Sequence, residues 1–136
     1  MQPSLRMAHL VVGAIAIGGF LITGLLMSAH EPPVMKMGWD QRLLFNSRHI
    51  YLMSAGLVNL AMGVHYLLPT ARAQRVAAIL GSLLALGSAV LLFFAFFAEP
   101  MAGRLPGVLS GYGLFALFGG VLLYALASFI GRRAGT

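Results

Sequence analysis

No cysteine occurs anywhere in the 136 residues. Disulfides, thiolate nucleophiles, iron–sulfur clusters and thiolate zinc sites are therefore excluded. Acids are almost as scarce, with only Glu31, Asp40 and Glu99. None of the three lies inside a long apolar run. The chain thus lacks the intramembrane carboxylate on which proton- and ion-coupled transporters rely. Charged residues of both signs make up 9% of the chain, against roughly 25% in an ordinary soluble domain.

Apolar residues dominate, at 60%. A small water-soluble domain leaves much of its chain exposed and could not hide so much apolar surface. The solvent for this chain is itself apolar. The net charge of +6 comes from Lys and Arg set singly between apolar runs. That pattern offers no basic stripe for a phosphate backbone to follow, which excludes nucleic acid as the partner. Scattered Arg at the ends of apolar runs instead meets anionic lipid headgroups.

Four apolar runs stand out, at about 8–29, 50–68, 76–98 and 108–130, and none holds an Asp, Glu, Lys or Arg. Each is close to the ~20 residues that cross a hydrocarbon core as a helix. The first is too long for a signal-peptide core of ~7–15 residues and reads as a retained span. The expected fold is all-α: one domain of four transmembrane helices in an up-down bundle, both ends on one side. Pro100 and Pro106 are expected to stop the helices on either side of the third connection. The segment 30–48 is expected to be a loop carrying a short interfacial helix, with Trp39 at headgroup level.

Lys and Arg number five on the terminal side (Arg6, Arg72, Arg75, Arg132, Arg133) and four on the other (Lys36, Arg42, Arg48, Arg104). The excess points to cytoplasmic termini in a bacterial inner membrane. Small residues mark expected packing faces. Gly107 and Gly111 stand at GxxxG spacing, followed by Ala116 and Gly120. Gly81, Ala85 and Ala89 form a stripe on the third run. His49, Gly56 and Gly63 are seven apart on the second, with Asn59 close by. Asn59 is expected to bond across to a neighbouring helix, since an unpaired amide in hydrocarbon is costly.

Ser54, Ser82, Ser88 and Ser128 have no evident base beside them in sequence, so the chain is not expected to be an enzyme. Four histidines remain. His9 opens the first run and His65 nears the end of the second. His30 closes the first and His49 opens the second. Two depth-matched pairs result, His9 with His65 and His30 with His49. Facing imidazoles at one depth can clamp an iron porphyrin. At ~100° per residue, however, His49 and His65 fall ~160° apart, so one helix face cannot present both. Met35-x-Met37 between His30 and His49 adds thioethers, and with imidazole these suit Cu(I).

Leu5-Arg6-Met7-Ala8-His9, followed by Gly18-Gly19-Phe20-Leu21-Ile22-Thr23-Gly24-Leu25-Leu26-Met27, resembles the first helix of bacterial di-haem b-type membrane cytochromes. The resemblance covers the first helix alone. It implies haem b, electron transfer, His9 as an axial ligand and Arg6 as a propionate partner. The other expectation is a cofactor-free accessory or scaffold subunit of a larger membrane complex. A copper-binding protein is the third.

Overall fold

A computed structural model describes residues 2–102 and 107–133. Within it the chain is four α-helices: α1 (Gln2–Ala29), α2 (Trp39–Val64), α3 (Arg72–Ala102) and α4 (Val108–Arg133). A 3₁₀ turn, Val34–Lys36, lies between α1 and α2. α2 and α3 form the middle of the bundle, with α1 packed on α2 and α4 on α3. Residues early in α1 meet residues late in α2 and early in α3, so successive helices run antiparallel.

α1, α3 and α4 are each long and apolar enough to cross a membrane. α2 is not apolar enough by composition, because Arg48, His49 and Asn59 lie along it. The expected count of four spans is therefore matched by three helices on that criterion.

α2 starts eleven residues before the expected span. Gly38 precedes its first turn, and Asp40 places a negative charge against the positive end of the helix dipole. Residues 39–48 are therefore helical, as the first turns of α2 itself and not as a separate short helix within a loop. At its other end α2 stops at Val64 with His65 as its C-cap, and Pro69 then disfavours helical backbone at Leu68. α3 runs through Pro100 to Ala102 instead of stopping there. The proline ring forfeits one backbone bond but its own φ suits a helix. Pro106 and Arg104 lie outside the described residues.

The α1–α2 seam is built on glycine. A Cβ on Gly13, Gly56 or Gly63 would stand 2.8 Å from Leu60, Ile17 or Leu10. On α3 and α4, a Cβ at Gly81 would sit 2.5 Å from the Gly120 carbonyl oxygen, and one at Gly120 2.6 Å from that of Gly81. Two backbones touch there, which only glycine permits. Gly111 has open space where a Cβ would point. Within this chain it therefore meets no neighbouring helix, although GxxxG spacing marks it as a packing residue. The face of α4 turned to α3 is Gly113, Leu117, Gly120 and Tyr124, and Gly111 lies ~160° round the helix from Gly113. Gly107 does pack tightly, but against the Arg48 and Glu99 side chains ahead of α4.

Candidate functional site

Polar groups inside the bundle gather in three places. The first lies toward the terminal end, where His9, Asn59 and Ser82 are fully buried. His9 Nδ1 lies 2.7 Å from Asn59 Oδ1, and Nε2 lies 2.6 Å from Ser82 Oγ. The Asn59 amide nitrogen donates to the Ala55 and Ala85 carbonyls at 2.8 and 3.1 Å. Both amide protons are thus committed, so Oδ1 accepts and His9 Nδ1 carries a proton. Neutral His9 then has its lone pair on Nε2, and the Ser82 hydroxyl donates to it. One network joins α1, α2 and α3, so Asn59 does bond across to its neighbours.

This order is the relay of a nucleophilic hydrolase: hydroxyl, imidazole, orienting amide. Ser82 thus has a base beside it, supplied by a helix 73 positions away in sequence. All three side chains are nevertheless sealed from the exterior. No acyl carbonyl reaches Ser82 Oγ in this packing, and the network acts as a clasp. Tyr66 packs on His9 at 5.5 Å between ring centroids and stacks on Tyr124 at 5.4 Å. The Tyr66 hydroxyl is buried beside Ser82. The Tyr124 hydroxyl accepts from the Leu67 N–H at 2.8 Å and donates to the Leu67 carbonyl at 3.1 Å.

The second gathering, at the opposite end, escaped the sequence reading. Arg48 of α2 and Glu99 of α3 form an ion pair, Nε to Oε2 2.6 Å, with side chains only 6% and 8% exposed. The other carboxylate oxygen accepts the Ser110 N–H of α4 at 2.9 Å. Glu99 therefore caps the first turn of α4, where orphan N–H groups and the helix dipole favour an anion. Arg48 also donates to Ser47 Oγ at 2.7 Å and lies 5.9 Å from the Tyr51 ring centroid. Three helices are pinned by one charge pair. The signal was present in the spacing. Leu44, Arg48, Leu52, Ala55 and Asn59 follow each other by three or four, so Arg48 shares a face with core residues.

The third gathering holds His49 and, further out, His30. The Thr23 hydroxyl donates to the Phe20 carbonyl at 3.0 Å and lies 2.9 Å from His49 Nδ1. The hydroxyl thus ties α1 to His49 of α2. The ring stacks on Phe20 at 4.1 Å and lies over Gly24, where a Cβ would come within 3.2 Å of it. His30 Nδ1 donates to the Pro32 carbonyl at 3.1 Å, which again leaves Nε2 with the lone pair. Its ring meets the Phe45 ring at 5.9 Å, edge to face.

The sequence pairs are not brought face to face. His9 turns into the bundle, whereas His65 caps the end of α2 and lines a surface recess with Tyr124, Ala125, Ser128 and Phe129 of α4. His30 and His49 are separated by the rings of Phe45 and Phe96. Arg6 is exposed on α1. Met35 is 72% exposed, while Met37 packs on the cluster of Val34, Phe45 and Phe96.

A haem between His9 and His65 does not fit these residues. The Nε2 lone pair of His9, the atom an iron would take, already accepts from a buried serine of α3, and the two histidines face different helices.

No family model, no curated protein and no solved structure matches the chain.

Proposed function

We propose that the chain is an integral membrane protein whose four helices all cross the bilayer, and that it serves as an accessory or scaffold subunit of a larger membrane complex. The observation that carries this reading is the direction of its polar groups. Arg48 and Asn59, which lower the apolarity of α2, point inward onto partners. Between His49 and its end α2 exposes only Ile50, Leu57, Ala61 and Val64, while Asp40, Gln41 and Asn46 are exposed on its first turns. A helix satisfied on its inner face and apolar on its outer face is as compatible with lipid as its neighbours. Four crossings put both ends on one side, and the small excess of Arg there favours the cytoplasm.

The subunit reading rests on where the ionisable groups are spent. His9, Arg48 and Glu99 are used to fasten helices, in the way polar side chains join helices inside bilayers. What the bundle presents outward is a wide apolar surface. On α4 it includes Tyr112, Phe115, Phe118 and Leu122, with Phe115 81% exposed. Large exposed aromatics on one helix suit a partner helix as well as lipid.

A photocrosslinking residue at Phe115 or Phe118, activated in native membranes, tests the proposal. A discrete protein adduct at these positions, absent when the residue replaces Leu67, is expected. Adducts with lipid alone would overturn it. An absorption spectrum addresses the cytochrome alternative directly. Protein from haem-replete cells is expected to show no Soret band that shifts on dithionite reduction. Such a band would restore haem b and electron transfer as the function.

A further inference from the structure

Met27 stands in the last turn of α1 and His30 directly follows the helix. Met101 comes from the last turn of α3. These three side chains line one pocket of about 270 Å³, together with Phe45, Phe96 and Phe97. The pocket is open to the exterior, unlike the His9 network. No carboxylate lines it.

The hydrogen bond of His30 selects the tautomer of its neutral ring. Its Nδ1–H donates to the Pro32 carbonyl, so Nε2 bears a lone pair, and no hydrogen bond engages that atom among the described residues. A backbone carbonyl on the far nitrogen is how proteins orient an imidazole toward a metal and raise its basicity. Methionine brings a thioether on three rotatable bonds, which lets each sulfur adjust its position within the pocket. Soft sulfur with imidazole selects Cu(I) among biological metals, whereas hard divalent ions need oxygen donors. An apolar lining also favours the smaller charge of a monovalent ion.

We propose that the pocket between the end of α1 and the end of α3 binds one soft monovalent cation, Cu(I) or its surrogate Ag(I), through His30 Nε2 and the thioether sulfurs of Met27 and Met101. Met101 is itself largely exposed, at the mouth of the pocket; Met35, suggested by its Met-x-Met spacing, takes no part, because it does not line the pocket. The site sits at the end opposite the termini and goes beyond the subunit reading, on which it does not depend.

The test uses the full chain in detergent. Cu(I), held reduced by ascorbate, is titrated against a chromophoric Cu(I) chelator, and Ag(I) is followed by calorimetry. One equivalent per chain is expected. His30→Gln and the double variant M27L/M101L each weaken binding at least tenfold, while Met35→Leu leaves it unchanged. Leucine nearly matches methionine in volume, and unchanged helicity shows that the variants fold. No retained metal above the detergent blank would overturn the proposal. So would wild-type affinity in His30→Gln and M27L/M101L, or loss of binding in Met35→Leu.

Discussion

Replacing Glu99 by Gln removes one charge and almost no volume. The amide oxygen can still accept the Ser110 N–H, so the cap on α4 survives in outline. Arg48 does not escape so lightly. Its side chain is 6% exposed, and the nearest anion is 2.6 Å from Nε. At an effective dielectric of ~20, two charges ~4 Å apart attract by about 4 kcal/mol. Stripping one partner from a buried pair costs about 3–5 kcal/mol, because the remaining charge stays desolvated. Glu99→Gln is therefore expected to lose about 3 kcal/mol. Arg48→Met, which leaves a carboxylate beside orphan N–H groups of α4, loses somewhat less, since the dipole still favours the anion. The double variant R48M/E99Q removes both charges together. It is expected to recover about 2 kcal/mol or more relative to the sum of the singles, the range seen for coupled neighbours. The assay is reversible unfolding in mixed micelles of rising SDS fraction, read by helicity. Additive losses, or single-variant losses under about 0.5 kcal/mol, would refute a buried pair, since exposed pairs give values of that size.

Other outcomes follow from the packing. Gly120→Val drives a side chain into the α3 backbone and is expected to cost about 3 kcal/mol or to prevent folding, at the top of the overpacking range. Gly111→Val, on open space, is expected to change stability by under about 0.5 kcal/mol. The same SDS titration separates the two, and equal losses would undo the assignment of the α3–α4 face. Asn59→Leu deletes three hydrogen bonds and strands the Nδ1–H of His9. Two of the three are interhelical and one lies within α2; at about 0.6–2 kcal/mol per interhelical bond, a loss of about 1–4 kcal/mol is expected. Ser82→Ala, losing one such bond, costs about 1 kcal/mol. A Ser82→Ala loss equal to that of Asn59→Leu would contradict the order of the network.

Much of the bundle is legible in the residues. The stripe His49, Gly56, Gly63 marks the face of α2 that meets α1, and Asn59 reports its own need for partners. The GxxxG spacing of α4 carries no phase. Gly107 and Gly111 satisfy the motif, but the face turned to α3 runs through Gly113 and Gly120. Arg48 and Glu99 were hidden for a different reason. Hydropathy ends a span where charge begins, so both residues fall outside the apolar runs. Their charges cancel across α2 and α3, and the helices continue through them. The chemistry of His9 depends on Ser82, two helices later, which only the tertiary packing could bring alongside. Depth can be counted along a helix. The identity of the side chain opposite cannot.

The central claim is that α2 crosses the bilayer with the other three helices. The natural absence of cysteine makes the test clean, because every introduced thiol is unique. Single cysteines at Ser4, Met35 and Thr70, all exposed positions, report the start of α1, the α1–α2 connection and the α2–α3 connection. Intact cells or right-side-out vesicles are treated with a membrane-impermeant maleimide, with and without permeabilisation. Four crossings predict that Met35→Cys reacts from one side while Ser4→Cys and Thr70→Cys react together from the other. Labelling of Met35→Cys and Thr70→Cys from the same side would show that α2 does not cross, and would contradict the account.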